Sequence, residues 1–266
     1  MFLGKYGKVA NISLQNNIEY RWNFFINLIF YFIPFLANIM LWICIYGHNG
    51  EAFGFTLKEM LTYYFVILIV ENLITNTTTY EIAKDIRLGD ISKYLIKPIN
   101  YMGYNFMKAV PKNLLFIVFG GIPLIILGFF LRGYLTIKIS VLNISCFVLA
   151  LVIGYLINFL LNYLLSILAF FFSEVNSMFV AIDVLKGIIT GKLFPISIVP
   201  KMLYNFLMIT PFQFTAYLPT VILLDKLSVN EVYKNLIIGT LWVILLFVLS
   251  KVMWKKGLRK YSAFGG

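Results

Sequence analysis

Apolar residues fall in long runs along the chain, and the polar positions between them mark where each run stops. The first run, about Phe24 to Tyr46, carries Trp22, Trp42 and Tyr46 near its ends, where amphipathic rings favour the headgroup level of a membrane. The second extends from about Leu57 to Thr79 and closes on the polar series Asn76, Thr77, Thr78 and Thr79. A third covers roughly Asn113 to Leu131, and after Arg132 and Lys138 an uncharged run extends from Ile139 to Ser173. That run is too long for one perpendicular crossing and too short for two and a turn, so it predicts a single long, tilted helix. A shorter fifth run spans about Ser177 to Leu193, and a last one Val232 to Ser250. A crossing needs about 20 apolar residues, so the pattern predicts an all-α membrane protein of six transmembrane helices.

Two segments depart from plain apolar runs. In residues 1–22, Leu3, Tyr6, Ala10, Leu14 and Ile18 step by three and four, with Lys5, Lys8, Asn11, Gln15 and Glu19 off that stripe. This is the pattern of a helix lying in the membrane interface, although an ordinary cytosolic helix would share it. Residues 194–224 contain Pro195, Pro200, Pro211 and Pro219. Each proline removes a backbone donor that lipid cannot replace, so the uncharged stretch Met202 to Leu224 is expected to be re-entrant from the outer side rather than a seventh span.

Composition fixes the solvent. Of 266 residues, 61% are hydrophobic and 12% charged, about half the charged share of soluble domains, and the mean hydropathy is +0.89. The net charge of +11 then describes topology rather than a nucleic-acid partner, since basic residues stay on the cytoplasmic side and meet anionic headgroups there. Fourteen of the 22 basic residues fall in three segments: the amino-terminal stretch, residues 80–112, and the tail from Lys251 to Lys260. Placing all three inside requires an even number of crossings. Both termini are therefore expected in the cytoplasm, while Lys192, Lys201, Lys226 and Lys234 are expected outside or at the outer interface. The first run is expected to act as an uncleaved signal anchor, and residues 1–266 read as one transmembrane domain.

Residues 80–112 form the longest hydrophilic stretch. Glu81 to Leu88 reads as a short helix stopped by Gly89, and Asp90 as the cap of a second helix with Ile91, Tyr94 and Leu95 on one face before Pro98. Asp85, Arg87 and Asp90 beside Ile86 and Ile91 suit docking in a cleft of a soluble partner; a solvated loop that merely holds topology is the alternative. Within the spans, a charge costs a few kcal/mol at the bilayer centre unless it finds a partner or water. Glu71, with neighbouring Asn72, stands either on a polar route through the protein or at a membrane boundary. Asp183 and Lys186, three apart on a helix, can pair with each other. Gly187 and Gly191 give a small-x3-small step that could bring two copies of the membrane domain together.

The chain lacks a Gly-x4-Gly-Lys-Ser/Thr phosphate loop, has one histidine, His48, and keeps Cys44 and Cys146 inside apolar runs. These absences argue against an enzyme and predict no cofactor or metal bound by this chain. An ion-coupled carrier or channel is harder to set aside, but a carrier is expected to show broken helices at matching positions of two halves, and only the fifth region looks broken.

The stretch EIAKDIRLGDISKYLIKPIN, Glu81 to Asn100, resembles the loop after the second span in permeases of the type-two ABC exporters, a family of bacterial drug, peptide and polysaccharide exporters. The stretch GKLFPISIVPKMLYNFLMITPFQFTAYLP, Gly191 to Pro219, is similar to their proline-marked outer segment, and WKKGLRKYSAFGG to their carboxy-terminal tail. The resemblance implies a multi-pass subunit of a bacterial plasma membrane with a cytoplasmic coupling helix after span two. Its coupling positions would lie among Lys84, Asp85, Ile86, Arg87, Leu88, Gly89, Asp90 and Ile91. It further implies two permeases, identical or related, working with two ABC ATPase subunits that hold ATP and Mg.

Overall fold

The computed structural model describes residues 2–19, 21–47, 51–76, 78–137 and 140–261. His48, Thr77, Lys138, Ile139 and the tail beyond Tyr261 lie outside them, as do the side chains of Leu3, Arg21, Trp22 and Phe24.

Helices α1 (Phe2–Glu19) and α2 (Arg21–Tyr46) lead to a two-stranded hairpin, β1 (Glu51–Ala52) and β2 (Phe55–Thr56). The hairpin turns through Phe53 and Gly54, both at positive φ, and the Tyr46 hydroxyl donates to the Phe55 carbonyl at 2.8 Å. Helix α3 (Leu57–Ile74) starts directly on it through a capping box. The Thr56 hydroxyl accepts the Glu59 N–H at 3.2 Å, and the Glu59 carboxylate accepts the Thr56 N–H at 2.9 Å. Two short helices follow, α4 (Thr78–Arg87) and α5 (Ser92–Leu95).

Helix α6 (Tyr101–Leu115) continues through one π turn, Phe116–Gly120, into α7 (Gly121–Leu131), giving 31 helical residues in all. The pattern of residues 101–112 had indicated loop. Tyr101, Asn105, Ala109 and Asn113 are in fact one buried stripe at four-residue steps; its two asparagines mimic a hydrophilic connection while serving as interior hydrogen-bonding groups. Helix α1 lies along this stretch, with the Tyr6 oxygen accepting the Asn100 N–H at 3.1 Å and the Ser13 hydroxyl donating to the Lys108 carbonyl at 2.7 Å.

Helix α8 (Val141–Ile167), extended by a 3-10 turn to Phe170, is the single long helix expected over this run. Helix α9 (Asn176–Ile189) has 14 residues, about 21 Å at 1.5 Å per residue and short of a bilayer core about 30 Å thick. The proline-marked region breaks into α10 (Lys201–Ile209), a 3-10 turn at Pro211–Thr215 and α11 (Tyr217–Leu223). Helix α12 (Val229–Lys260) closes the chain behind a Ser228–Glu231 capping box.

Among the described residues, three helices are long and apolar enough to cross a membrane: Tyr101–Leu131, Val141–Phe170 and Val229–Lys260. Phe32–Tyr46 is a shorter apolar helix, and α3 carries three charged residues, Lys58, Glu59 and Glu71. Helix α8 is the centre of the bundle, packed by α12, α11, α4 and α3. Phe214, fully buried in the 3-10 turn, reaches the middle of α8 because two helices present glycine to it. A Cβ on Gly154 would stand 2.2 Å from the Phe214 carbonyl oxygen, and one on Gly239 would stand 2.6 Å from the Phe214 ring. Met202 to Leu224 is thus a broken segment whose irregular backbone is covered by protein, the condition under which non-helical backbone is tolerated at membrane depth.

Candidate functional site

The break between α3 and α4 is the organising feature. Thr75 ends α3 in an extended conformation, so the carbonyls before it lose the helical N–H groups that would have met them. Side chains of two other helices take their place. Asn113 of α6 donates one amide to the carbonyls of both Asn72 and Thr75, each at 2.9 Å. Asn158 of α8 donates to the Ile74 carbonyl at 2.9 Å. Asn162, one turn further along α8, donates to the Asn76 side-chain oxygen at 3.1 Å and lies 3.4 Å from its carbonyl. Thr78 donates to that same side-chain oxygen at 2.9 Å, tying the start of α4 to the clamp. An unmet carbonyl in an apolar interior costs several kcal/mol, which is why asparagines, and not apolar residues, occupy these helix faces.

Helix α9 joins the clamp through a charge. The Lys186 ammonium donates to the Asn162 side-chain oxygen at 2.7 Å and lies 3.5 Å from Asp183, so the pairing expected from the sequence is present with a third member. Glu71 pairs with Lys192 at 2.7 Å. Lys192, half exposed, is thereby held beside α3. Asn72 turns back onto its own helix, donating to the Leu68 carbonyl at 2.8 Å.

Gly187 and Gly191 do not share a helix face. Gly191 lies beyond α9 at φ +85°, and its carbonyl accepts the Tyr63 hydroxyl at 2.5 Å. A Cβ there would meet the Tyr217 Cβ at 2.9 Å, so this glycine serves an internal turn. Tyr64 makes the parallel bond to the Leu193 carbonyl at 2.6 Å.

Beyond the break, α4 and α5 form a compact knob. Ile82, Ala83, Ile86 and Ile91 face inward and are buried, against the expectation that Ile86 and Ile91 are presented outward. Periodicity locates an apolar stripe but not the side on which it packs. Asp85 is also turned inward, accepting the Tyr101 hydroxyl at 2.7 Å. Gly89, at φ +81°, ends α4 as predicted, and its carbonyl accepts the Ser92 hydroxyl at 2.7 Å and the Tyr261 hydroxyl at 3.0 Å. Asp90 does not cap α5. The capping position is Ile91, and the Asp90 carboxylate takes the Lys93 ammonium, whose pKa that hydrogen bond raises.

The outward face of the knob is left with Lys84, Arg87 and Leu88 from the predicted set, and with Lys93, Leu95, Ile96 and Lys97, which lie beyond the predicted coupling positions. Ile96 is 85% exposed and Leu88 63%. Lys84, Arg87, Lys93 and Lys97 are exposed on the same two short helices and their turns. Arg87 reaches Glu174 at 3.8 Å, and Lys108 pairs with Glu81 at 2.7 Å. No group of three metal-ligating side chains occurs among the described residues.

Residues 32–265 match the sequence model of the family described as "ABC-2 family transporter protein". Comparison with curated proteins and with solved structures gives no match.

Proposed function

Because the chain belongs to the ABC-2 transporter family, we propose that it is the membrane subunit of an ATP-driven exporter and that the α4–α5 knob docks in a cleft of a separate ATPase. The observation that carries this reading is the exposed Leu88–Leu95–Ile96 surface, ringed by Lys84, Arg87, Lys93 and Lys97, on a knob whose inner face is fixed to α6, α8 and α12. A surface of that kind transmits force only if its base is tied to the bundle, and the asparagine clamp is such a tie. Motion of the knob would reach α9 through Asn76, Asn162 and Lys186, and α9 leads into the segment that holds Lys192 against Glu71. ATP and Mg would be held by the partner. The working unit would be two such subunits and two ATPases in a bacterial plasma membrane, with six crossings and both termini on the cytoplasmic side.

The test is co-expression with ATPase candidates, followed by pulldown and measurement of hydrolysis. The wild-type chain should bind one of them and stimulate hydrolysis, and Ile96→Asp should abolish both while membrane insertion persists. Equal binding and stimulation by Ile96→Asp and Leu88→Asp would sink the docking assignment.

A further inference from the structure

Helices α6 and α12 stand apart over α8, and the groove between them is a cavity of about 720 Å³, within the size range of sites for small organic ligands. Its floor is one face of α8: Leu156, Phe159, Leu160 and Tyr163. One wall is a stripe of α12, namely Val243, Phe247, Lys251 and Trp254, and the other includes Phe106 and Met107 of α6. The walls meet where the Tyr101 ring stacks on Trp254, 5.2 Å between centroids. Tyr6 of α1 and Tyr94 of α5 line the groove as well.

The charge is one-sided. Lys251 is the charged residue of the lining, which includes no carboxylate among the described residues. Its ammonium lies 4.4 Å from the Phe247 ring centroid, a contact that leaves its hydrogen-bonding capacity for a further acceptor. Lys97 lies over Tyr94 at 5.9 Å. The Tyr6 oxygen accepts the Asn100 N–H, so its own hydrogen remains to donate. Asp85, the nearby acid, is already engaged by Tyr101 on the knob side. The groove is thus an apolar slot with donors and a cation but no anion, set between the three helices whose outward faces are the apolar ones, including Val152 on α8 and Leu245 and Val248 on α12.

We infer that this groove binds an anionic membrane phospholipid, with an acyl chain along α8 between Phe106 and Phe247 and the phosphate at Lys251. Charge complementarity selects the head, and the aromatic and aliphatic lining selects the chain. The inference is independent of the docking assignment, and its test uses no ATPase.

Trp254 is a built-in probe. The full-length chain in nanodiscs is titrated with phospholipids brominated on the acyl chain, with phosphatidylglycerol or phosphatidylcholine heads, and the Trp254 signal is taken as the difference between wild type and Trp254→Phe. Saturable quenching with about a fivefold preference for the anionic head is expected, the size set by one lysine near an anionic group. Lys251→Glu should remove that preference, with Lys251→Gln as the alternative should the reversal misfold, and Leu156→Phe, which fills the floor, should reduce the quenching of both lipids. Quenching that rises in proportion to bromolipid content without saturation or head-group preference is ordinary annular contact and would overturn the proposal. So would unchanged selectivity in the Lys251 variants.

Discussion

The hydroxyl of Tyr261 donates to the carbonyl of Gly89 at 3.0 Å across a sequence separation of 172 residues. The end of the longest helix is thereby bonded to the turn of the knob. Gly89 holds φ +81° there, and a Cβ would come within 3.6 Å of the Tyr261 oxygen. Tyr261→Phe removes this bond and little else. A net loss of about 1 kcal/mol is expected, read as roughly fivefold faster amide hydrogen exchange from Ser92 to Ile96 with the exchange of α8 unchanged. Equal exchange in both proteins would show that the bond does not hold the turn.

Asn113 is the more expensive residue to lose. One amide serves two carbonyls, so Asn113→Leu leaves both without a donor and should destabilise the chain by about 2–3 kcal/mol, seen as a lower melting temperature in detergent. Asn105→Leu is the contrasting variant on the same stripe, because the Asn105 amide serves one carbonyl of its own helix, that of Tyr101, at 2.9 Å. Its cost should be smaller.

Two glycines make a steric pair of opposite outcome. A methyl on Gly154 would meet the backbone oxygen of Phe214 at 2.2 Å, whereas one on Gly121 meets nothing within 4 Å. Gly154→Ala should cost about 1–3 kcal/mol or more as the broken segment is pushed off α8, while Gly121→Ala should leave the melting temperature unchanged or slightly raised.

Much of this was legible beforehand, and the failures have causes that can be named. The prolines at 195, 200, 211 and 219 announced a broken segment because proline cannot donate to a helix, and the broken segment is there. Gly89 was recognisable as a stop because few other residues adopt positive φ. Asn113, Asn158 and Asn162 were not singled out, since asparagine in an apolar run gives no sign of which carbonyl it will meet. The defect they repair, at Thr75 and Asn76, lies on another helix. The pairing of Lys192 with Glu71 was not foreseen because a charge count carries no contacts, and Ile86 and Ile91 were turned the wrong way because the knob packs its apolar stripe against α8 and its 3-10 extension.

Lys186 tests whether its charge or its hydrogen bond matters. It donates to Asn162 at 2.7 Å and sits 3.5 Å from Asp183. Lys186→Gln can keep the donor, while Lys186→Leu cannot, so transport by a reconstituted complex should fall at least tenfold in the leucine variant and less in the glutamine one. Equal activity in both would remove α9 from the proposed path of coupling.

Arg87 offers a cleaner probe of docking. Its contact with Glu174 is long, 3.8 Å, and exposed on both sides, and such pairs contribute about 0–1 kcal/mol to folding. Arg87→Ala should therefore leave the melting temperature within about 1 °C while weakening association with the ATPase. A loss of folding without a loss of association would reverse the assignment.

The clamp at Thr75 and Asn76 also determines what can be exchanged between relatives. The knob looks like a module of about twenty residues, yet the groups that hold its root belong to α6 and α8. A knob grafted onto another bundle would arrive without its anchors, exposing carbonyls that its new host has no reason to meet. If the knob docks in an ATPase as proposed, recognition of a different one would be acquired more readily by altering the outward residues, Leu88, Leu95 and Ile96, than by moving the whole element. The part that is free to diversify and the part that cannot move are separated by the thickness of one short helix.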